Sequence, residues 1–252
     1  LELSSSRKTF SWKAAEAAEL PASFRTKFRT TDDCKLVSGG RVLITASSDG
    51  AALVDRSTGR TLWWGQCGNA HSAELLPGDR IVLACSIREG TGDKLALFDI
   101  GTPERELFAT ELVSGHGAVW DASRQRLWAI GLRVLRAYRL HRWDTATPSL
   151  VLDQEFALPD EGGHDLQPVP GSADLVLSTH ASVWRFDRDA RTFRPDPDLR
   201  GRHDVKSVSI HPTTGRVAFT QAEAPHWWTS RIRLRQPDGE VVREGERLYK
   251  IR

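Results

Sequence analysis

The sequence has 252 residues but no methionine, only three cysteines and no long apolar run. A helix that spans a bilayer needs about 18 or more consecutive apolar residues, whereas the longest runs in this chain, such as 81–85, have the length of a β-strand. The sequence therefore predicts no membrane span. Because no methionine precedes Leu1, we expect residues to be missing before it, and a signal peptide would lie among them.

Cysteine is too scarce to organise the fold. The three cysteines, Cys34, Cys67 and Cys85, are odd in number and form no Cys-x-x-Cys pair. Their spacing therefore indicates neither a disulfide framework nor a zinc ribbon. A single disulfide between two of them is left open.

An excess of one charge is also missing. The 35 lysines and arginines nearly balance the 33 aspartates and glutamates, and neither sign forms a run of five or more. Nucleic-acid binding proteins and polybasic membrane anchors need such a patch, so the sequence predicts neither partner. The hydrophobic fraction of 39% is enough to build the core of a globular protein.

The signatures of several enzyme classes are absent as well. The sequence has no Gly-x-Ser-x-Gly elbow, no His-Glu-x-x-His motif, no phosphate-binding loop and no dinucleotide fingerprint. Hydrolysis by a serine triad and nucleotide chemistry therefore have no support in the sequence.

The most informative feature that is present is an internal repeat. Five segments share a pattern in which the first position is His or Asp, the third is apolar or small, and the fourth is mostly long and polar. Their starts lie 39 to 48 residues apart, a spacing typical of four-stranded propeller blades. The segments cover residues 32–37, 71–76, 116–121, 164–169 and 203–208.

Each segment is followed by a turn signal and three further short, β-rich runs. In the second unit, a turn at 77–79 leads to runs at 80–85, 95–99 and 106–109. No helical pattern of about 10 to 15 residues separates such runs, which excludes a βαβ fold. The sequence therefore predicts an all-β propeller of four-stranded antiparallel sheets, with one or two helical turns at 13–19 before the first full unit.

The two ends of the chain are predicted to share one blade. Residues 247–252 lie one period beyond the fifth segment and have the pattern of a first strand, while 1–3 and 8–12 have that of third and fourth strands. Such a composite blade would close the ring and cover its edge strands. We therefore predict a single propeller domain over residues 1–252 with six blades; five blades is the alternative.

The first position of every unit is expected to lie at one mouth of the central channel, because the first strand of each blade lines that channel. This arrangement would bring together His71, His116, His164, His203 and Asp32. Imidazole and carboxylate groups are ligands for zinc and manganese, and carboxylates also bind calcium, so we predict a divalent metal site there for zinc, manganese or calcium. The alternative is that the histidines only form hydrogen bonds and repeat one structural role in each blade.

A second candidate binding feature is the loop after the second strand of the fifth unit. Gln221, His226, Trp227 and Trp228 lie in this otherwise polar loop, which opens on the same face. Exposed tryptophan rings stack on sugar rings and are typical of recognition patches, so we predict that the loop binds a ligand such as a glycan. The alternative is that one of the tryptophans packs between blades.

The segments that begin at His71, Gly115, Gly162 and His203 resemble those of an uncharacterised family of bacterial, often secreted β-propellers, known only as a domain of unknown function. The resemblance covers nearly the whole chain and implies the fold, together with an extracellular or periplasmic location. More distantly, a propeller with channel histidines is similar to the oligogalacturonate lyases, which hold a divalent metal with His and Gln and cleave uronates by β-elimination. No motif of those lyases carries over residue by residue.

These expectations combine into one functional hypothesis. The mouth is expected to hold the metal and to bind or cleave a glycan, with Lys35 or Lys206 as the base of a lyase-like reaction. The protein is expected to act as a monomer on a glycan or a small-molecule ligand. The competing hypothesis is a non-catalytic scaffold that binds a ligand or a protein at the same mouth.

Overall fold

The computed structural model describes residues 9–252, which form a β-propeller of five four-stranded antiparallel blades. In every blade four consecutive strands pair in chain order, and the first strand of each blade lies against the first strand of the next, from blade 1 through to blade 5. The all-β propeller prediction is confirmed. The predicted count of six blades is wrong, and the alternative of five is correct.

The innermost strand of each blade comes first in the chain. Blade 1 contains β1 (Thr31–Val37), β2 (Arg41–Ala46), β3 (Gly50–Asp55) and β4 (Thr61–Gln66). Blade 2 contains β5 (Ala70–Leu76), β6 (Arg80–Cys85), β7 (Lys94–Asp99) and β8 (Glu106–Glu111). Blade 3 contains β9 (Gly117–Asp121), β10 (Arg126–Ile130), β11 (Val134–His141) and β12 (Ser149–Ala157). Blade 4 contains β13 (Asp165–Pro168), β14 (Asp174–Ser178), β15 (Val183–Asp187) and β16 (Thr192–Pro195). Blade 5 contains β17 (Val205–Ile210), β18 (Val217–Gln221), β19 (Arg231–Arg235) and β20 (Gly239–Val242).

Apolar clusters join neighbouring blades. Between blades 1 and 2, Leu43, Leu53 and Trp63 pack with Ile81 and Phe98, and all five side chains are buried. The second and third strands of each blade supply most of these residues because they are covered on both faces, and such strands favour continuous apolar runs. The same kind of cluster fills the spaces between blades 2 and 3, 3 and 4, and 4 and 5.

A disulfide adds a covalent link between blades 1 and 2. Cys67, just after β4, is bonded to Cys85 at the end of β6, with their Cα atoms 5.9 Å apart. Cys34 on β1 carries the free thiol. The disulfide left open by the cysteine count is therefore present.

The described N-terminal residues pack on the free face of blade 1. Phe10, Trp12 and Phe28 lie against Val42 and Ile44 of β2. The helical structure in this region is limited to single turns, because the alanine-rich stretch is too short to be a stable helix without tertiary packing. Those turns are Ala14–Glu16, α1 (Ala22–Arg25) and Thr26–Phe28, and one more, Ser38–Gly40, connects β1 to β2.

Residues 247–252 do not form the first strand of a sixth blade. Leu248 makes one antiparallel bridge with Thr229 of blade 5, after which the chain enters the central channel. The partner predicted at Thr9–Trp12 forms no strand, and the predicted strand Leu1–Leu3 lies outside the described residues. Lys250 and Arg252 explain why this segment lies in the channel and not in a sheet. In the channel their charged groups lie beside buried carboxylates, which an outer blade would not provide.

In the part of the chain that the structure describes, no helix is long and apolar enough to cross a membrane.

Candidate functional site

Each blade places one polar side chain at the same end of the channel. Three inner strands begin with an irregularity that leaves one residue out of the ladder, namely Asp32, His71 and Lys206. A β-bulge of this kind re-aims a side chain. In the other two blades, His116 and His164 stand immediately before β9 and β13 and donate their N–H groups to the last residue of the neighbouring strand. These five residues are called the mouth ring.

Neighbouring members of the mouth ring are in contact. Asp32 Oδ1 lies 3.5 Å from His71 Nδ1. The rings of His71 and His116 stack with centroids 4.2 Å apart, and the ring of His164 meets that of His116 edge-on at 5.1 Å. Lys206 Nζ donates to His164 Nε2 at 2.9 Å. All five side chains are buried.

His203 does not join the ring. Its side chain is 71% exposed and forms a 3.0 Å contact from Nδ1 to Asp204 Oδ2, so the predicted meeting of four histidines occurs for three. The fifth segment was aligned three residues too early. A sequence signal for the correct register exists, because Val205-Lys-Ser-Val matches Ala70-His-Ser-Ala, which puts Lys206 opposite His71.

Burial sets the protonation of the ring. It lowers the pKa of His71 to about 3, with the charge of Lys250 adding to the effect, and lowers the pKa values of His116 and His164 well below their usual range. The three imidazoles are therefore neutral at pH 7. Burial also raises the pKa of Asp32 to about 7, since a charged form is disfavoured away from water.

Several nitrogen atoms of the ring already have partners. His116 Nδ1 donates to the carbonyl oxygen of Ser114 at 2.8 Å, and His164 Nε2 accepts from Lys206. Imidazole lone pairs lie in the ring plane, so the stacked rings of His71 and His116 do not aim them at a common point. Within residues 9–252 no group of three or more His, Cys, Asp or Glu side chains is arranged to hold a metal ion. The metal site stays a prediction.

An open cavity of about 410 Å³ lies above the mouth ring. Trp227 forms its upper wall and is half exposed, and its indole packs edge-on against the ring of Tyr249 at 5.4 Å. The lining residues are Asp32, Ser47, Asn69, His71, Arg88, His164, Lys206, Trp227 and Tyr249.

The predicted loop residues divide between this cavity and structural roles. His226 stacks on Trp228 at 4.4 Å, away from the cavity lining. Gln221 donates to the carbonyl oxygen of His203 at 2.9 Å and accepts from Arg233 at 2.5 Å, so both ends of its amide hold blade 5 together. Trp227 alone of the four lines the cavity.

The two candidate bases lie in different environments. Lys206 lines the cavity, and burial lowers the pKa of its amino group. Lys35 instead donates to the carbonyl oxygen of Ala118 at 2.6 Å and lies 3.5 Å from Glu74, and it does not line the cavity. Only Lys206 is placed to meet a ligand at the mouth.

Sequence reasoning missed Ser47, Asn69 and Tyr249 of the cavity wall. Asn69 precedes His71 in the loop between blades and carries no motif. Tyr249 reaches the cavity only because 247–252 enters the channel, and a repeat pattern that assigned this segment to a blade could not reveal it.

Comparisons with known proteins support the fold but give no activity. A search of curated proteins finds no match. Among solved structures, the chain is similar to one titled "Structure of U3-55K", with a TM-score of 0.58 and 9% identity over 81% of this chain. This chain spans 60% of the length of that protein, so the likeness concerns the propeller fold alone. A family model matches residues 2–252, and the chain therefore belongs to DUF6528, a family of unknown function.

Proposed function

We propose that the mouth cavity binds an acidic sugar unit of a glycan. The observation that carries the proposal is the pairing of one ring cation, Lys206, with a half-exposed aromatic wall, Trp227, in a single cavity. The imidazoles beside Lys206 are neutral and do not offset its charge, although Asp204 Oδ1 lies 3.5 Å from its Nζ. Arg88 adds a second cation at the rim, although Asp49 lies 3.2 Å from its guanidinium.

The aromatic wall favours a sugar over a small inorganic anion. A half-exposed indole offers an apolar face on which a pyranose ring stacks. The cavity volume of about 410 Å³ also falls within the range of about 300 to 1,000 Å³ that is usual for small-molecule sites. A uronate carries both features, a ring for Trp227 and a carboxylate for Lys206.

Unpartnered polar atoms also support a hydroxyl-rich ligand. Asp32 Oδ1, His71 Nδ1 and His164 Nδ1 are buried and have no hydrogen-bond partner among the described residues. Each unsatisfied buried group costs about 1 to 3 kcal/mol. Sugar hydroxyls both donate and accept, so a bound sugar would relieve part of this cost.

Cleavage of the glycan is the second part of the proposal. In a β-elimination, Arg88 of the cavity lining would hold the uronate carboxylate. The amine form of Lys206 would then take the proton next to that carboxylate while the bond to the leaving oxygen breaks and a carbon–carbon double bond forms. Protonated Asp32, whose pKa is about 7, would return a proton to the leaving oxygen. If no product forms, the protein is a non-catalytic glycan-binding scaffold.

The disulfide supports an extracellular or periplasmic location. Disulfides persist in oxidising compartments and are rare in the cytosol, and Cys67–Cys85 is buried between two blades. We place the protein there as a monomer.

The test is calorimetry with D-glucuronate, D-galacturonate and their neutral counterparts. Binding of an acid is expected for the unchanged protein, about tenfold weaker for Trp227→Ala and weaker still for Lys206→Met. Trp228→Ala is the matched control because its ring lies outside the cavity. Failure of every acidic sugar to bind would overturn the proposal, and an oligouronate assay that follows the unsaturated product decides cleavage.

The metal prediction has its own test with zinc, manganese and calcium. Binding that is lost in His164→Ala and kept in His211→Ala would support it. His211 is a suitable control because its Nδ1 accepts from the amides of Thr213 and Thr214 in an exposed turn.

A further inference from the structure

The last residues of the chain contact all five blades from inside the channel. The segment 248–252, called the channel segment, begins at the bridge with Thr229 of blade 5. Its main chain is then held there by two hydroxyls: Thr220 donates to the carbonyl oxygen of Tyr249, and the N–H of Ile251 donates to Ser207 Oγ at 3.1 Å.

One guanidinium joins two buried carboxylates. Arg252 Nε lies 3.0 Å from Asp33 Oδ1 of blade 1, and Arg252 Nη2 lies 2.7 Å from Asp165 Oδ1 of blade 4. Both carboxylates are almost fully buried. The two aspartates occupy equivalent positions, one residue after the mouth-ring residue of their blades, so Arg252 lies directly beneath the ring.

A second cation completes the charge balance. The Lys250 side chain is fully buried and donates to the carbonyl oxygens of His71 at 3.3 Å and His116 at 2.5 Å, in blades 2 and 3. Its Nζ is also 3.8 Å from Asp165 Oδ1. The channel segment therefore supplies two positive charges to a space that holds two buried carboxylates.

Removal of these charges would leave Asp33 and Asp165 without their two cationic partners. Lys35 and, in the mouth ring, Lys206 would be the cations left nearby, and each already lies 3.5 Å from another carboxylate, Glu74 and Asp204 respectively. Burial alone would raise the pKa of Asp33, but Arg252, Lys35 and Lys250 outweigh it and hold that pKa below its ordinary value. Asp33 and Asp165 would then present negative charge to any ligand at the mouth.

The same segment forms part of the cavity wall. Tyr249 lines the cavity, with its ring 5.5 Å from His71 and 5.4 Å from Trp227. The contacts of Lys250 and Arg252 with the channel wall therefore hold Tyr249 at the mouth. Displacement of the segment would remove one wall and uncover two carboxylates at once.

We propose that the channel segment is a specificity-determining part of the mouth site, which makes that site accept an anion by neutralising Asp33 and Asp165. This inference rests on the proposed function, because it concerns the same cavity. By linkage, the coupling acts in both directions: a bound anion strengthens the seating of the segment as much as the seated segment strengthens anion binding.

The first experiment compares the affinities of D-glucuronate and D-glucose by calorimetry on the full chain. Arg252→Gln keeps a polar side chain, although a shorter one, and removes its charge, so we expect at least about a tenfold loss for glucuronate and a smaller change for glucose. Arg252→Lys keeps the charge and should retain most of the preference for the acid. Arg200→Gln is the control, because the exposed Arg200 side chain makes no ion pair among the described residues and the variant has the same change in net charge.

A double variant separates charge from structure. Arg252→Gln combined with Asp165→Asn removes one charge of each sign, and the asparagine oxygen can still accept from the N–H of Val208, which lies 2.8 Å from the Asp165 carboxylate. The double variant should regain at least part of the lost glucuronate affinity. A purely structural role of Arg252 would instead make the double variant weaker than either single one, and that result would overturn the inference.

The second experiment measures the seating of the segment directly. Trypsin cleavage after the buried Lys250 releases residues 251–252, whereas cleavage after the exposed Arg247 releases residues 248–252. Mass spectrometry distinguishes the two products, and cleavage after exposed Arg200 reports protease activity. We expect saturating glucuronate to slow cleavage at Lys250 several-fold, and glucose to slow it less. If the unchanged protein binds neither sugar, the proposed function and this inference both fail; if it binds glucuronate and Arg252→Gln binds it equally well, only this inference fails.

Discussion

The junctions between successive blades and the junction that links blade 5 back to blade 1 are built from different interactions. Each of the four successive junctions is an apolar cluster, such as that around Trp63 and Phe98. Between blades 5 and 1, the described structure has the channel segment. This segment pairs with Thr229 of blade 5, and its Arg252 binds Asp33 of blade 1 and Asp165 of blade 4. Apolar contacts are non-directional and tolerate small shifts, whereas a buried ion pair depends on every partner being present. Removal of a single charge or a change of pH should therefore weaken the ring closure. The other junctions should be weakened by substitutions that remove buried side-chain volume.

The largest effect is expected at an apolar junction. Trp63 is completely buried and packs edge-on against Phe98 at 5.4 Å, so Trp63→Ala should lower the free energy of unfolding by about 4 kcal/mol through lost burial and the cavity left behind. Urea unfolding measures the change. Leu62→Ala next to it, at a 40% exposed position, is the control, and equal losses in both variants would contradict the assignment of this junction.

The charged closure is expected to come next. Arg252→Ala leaves Asp33 and Asp165 without their shared partner, which should cost about 3 kcal/mol. Urea unfolding of Arg252→Ala and Trp63→Ala under the same conditions compares the free energy of unfolding that each kind of junction contributes. A loss below about 1 kcal/mol would mean that the closure does not depend on this pair.

Acid should destabilise the protein through the mouth ring. The pKa of His71 is lowered to about 3 by burial and Lys250, and burial holds those of His116 and His164 well below their usual range. The unfolded chain binds protons on these imidazoles below about pH 6.5 and the folded protein does not, so stability is lost as pH falls. Asp32 opposes this effect, because burial raises its pKa to about 7 and the folded state is then the one that holds the proton.

On unfolding at this pH, the three imidazoles together take up about three protons and Asp32 releases about one. The net uptake is therefore about two protons. The free energy of unfolding should therefore fall by about 2 to 3 kcal/mol per pH unit between about pH 6 and 5. Asp32→Asn removes the opposing group and should steepen the dependence. Urea unfolding across this range checks both expectations, and a flat profile would show that the ring is not the source.

The smallest effect belongs to an exposed ion pair on a blade surface. Lys94 and Glu106 are 2.7 Å apart, but both side chains are partly exposed. Because solvent screens such pairs, Lys94→Ala should cost at most about 1 kcal/mol. A loss as large as that of Arg252→Ala would remove the distinction between surface pairs and the closure.

The repeat predicted the architecture because its signal is local. A segment of six residues followed by turn signals recurs every 39 to 48 residues, and each unit forms its sheet from consecutive strands. The count failed because residues 247–252 match a first strand locally, while the charges of Lys250 and Arg252 have partners elsewhere. No local pattern reports that pairing.

The candidate site was predicted in part for a similar reason. The positions of Asp32, His71, His116 and His164 follow from the repeat, whereas the fifth segment was aligned on His203, three residues before Lys206. The bulge at Lys206 is the same as those at Asp32 and His71, so the correct register follows from Val205-Lys-Ser-Val and was missed because a search for histidine favoured His203. The link between Cys67 and Cys85 was invisible, since an odd set of three cysteines does not state its pairing.

The position of Arg252 also constrains the order of folding. Its partners Asp165 and Asp33 lie 87 and 219 residues earlier in the sequence. These contacts close long loops, whereas each blade forms from neighbouring hairpins. During synthesis the blades can assemble as they emerge from the ribosome. The carboxylates of Asp33 and Asp165 remain without their Arg252 partner until that residue has been made. The channel contacts therefore form only after the channel segment has been made, so a ribosome that stops before Arg252 leaves Asp33 and Asp165 without this partner.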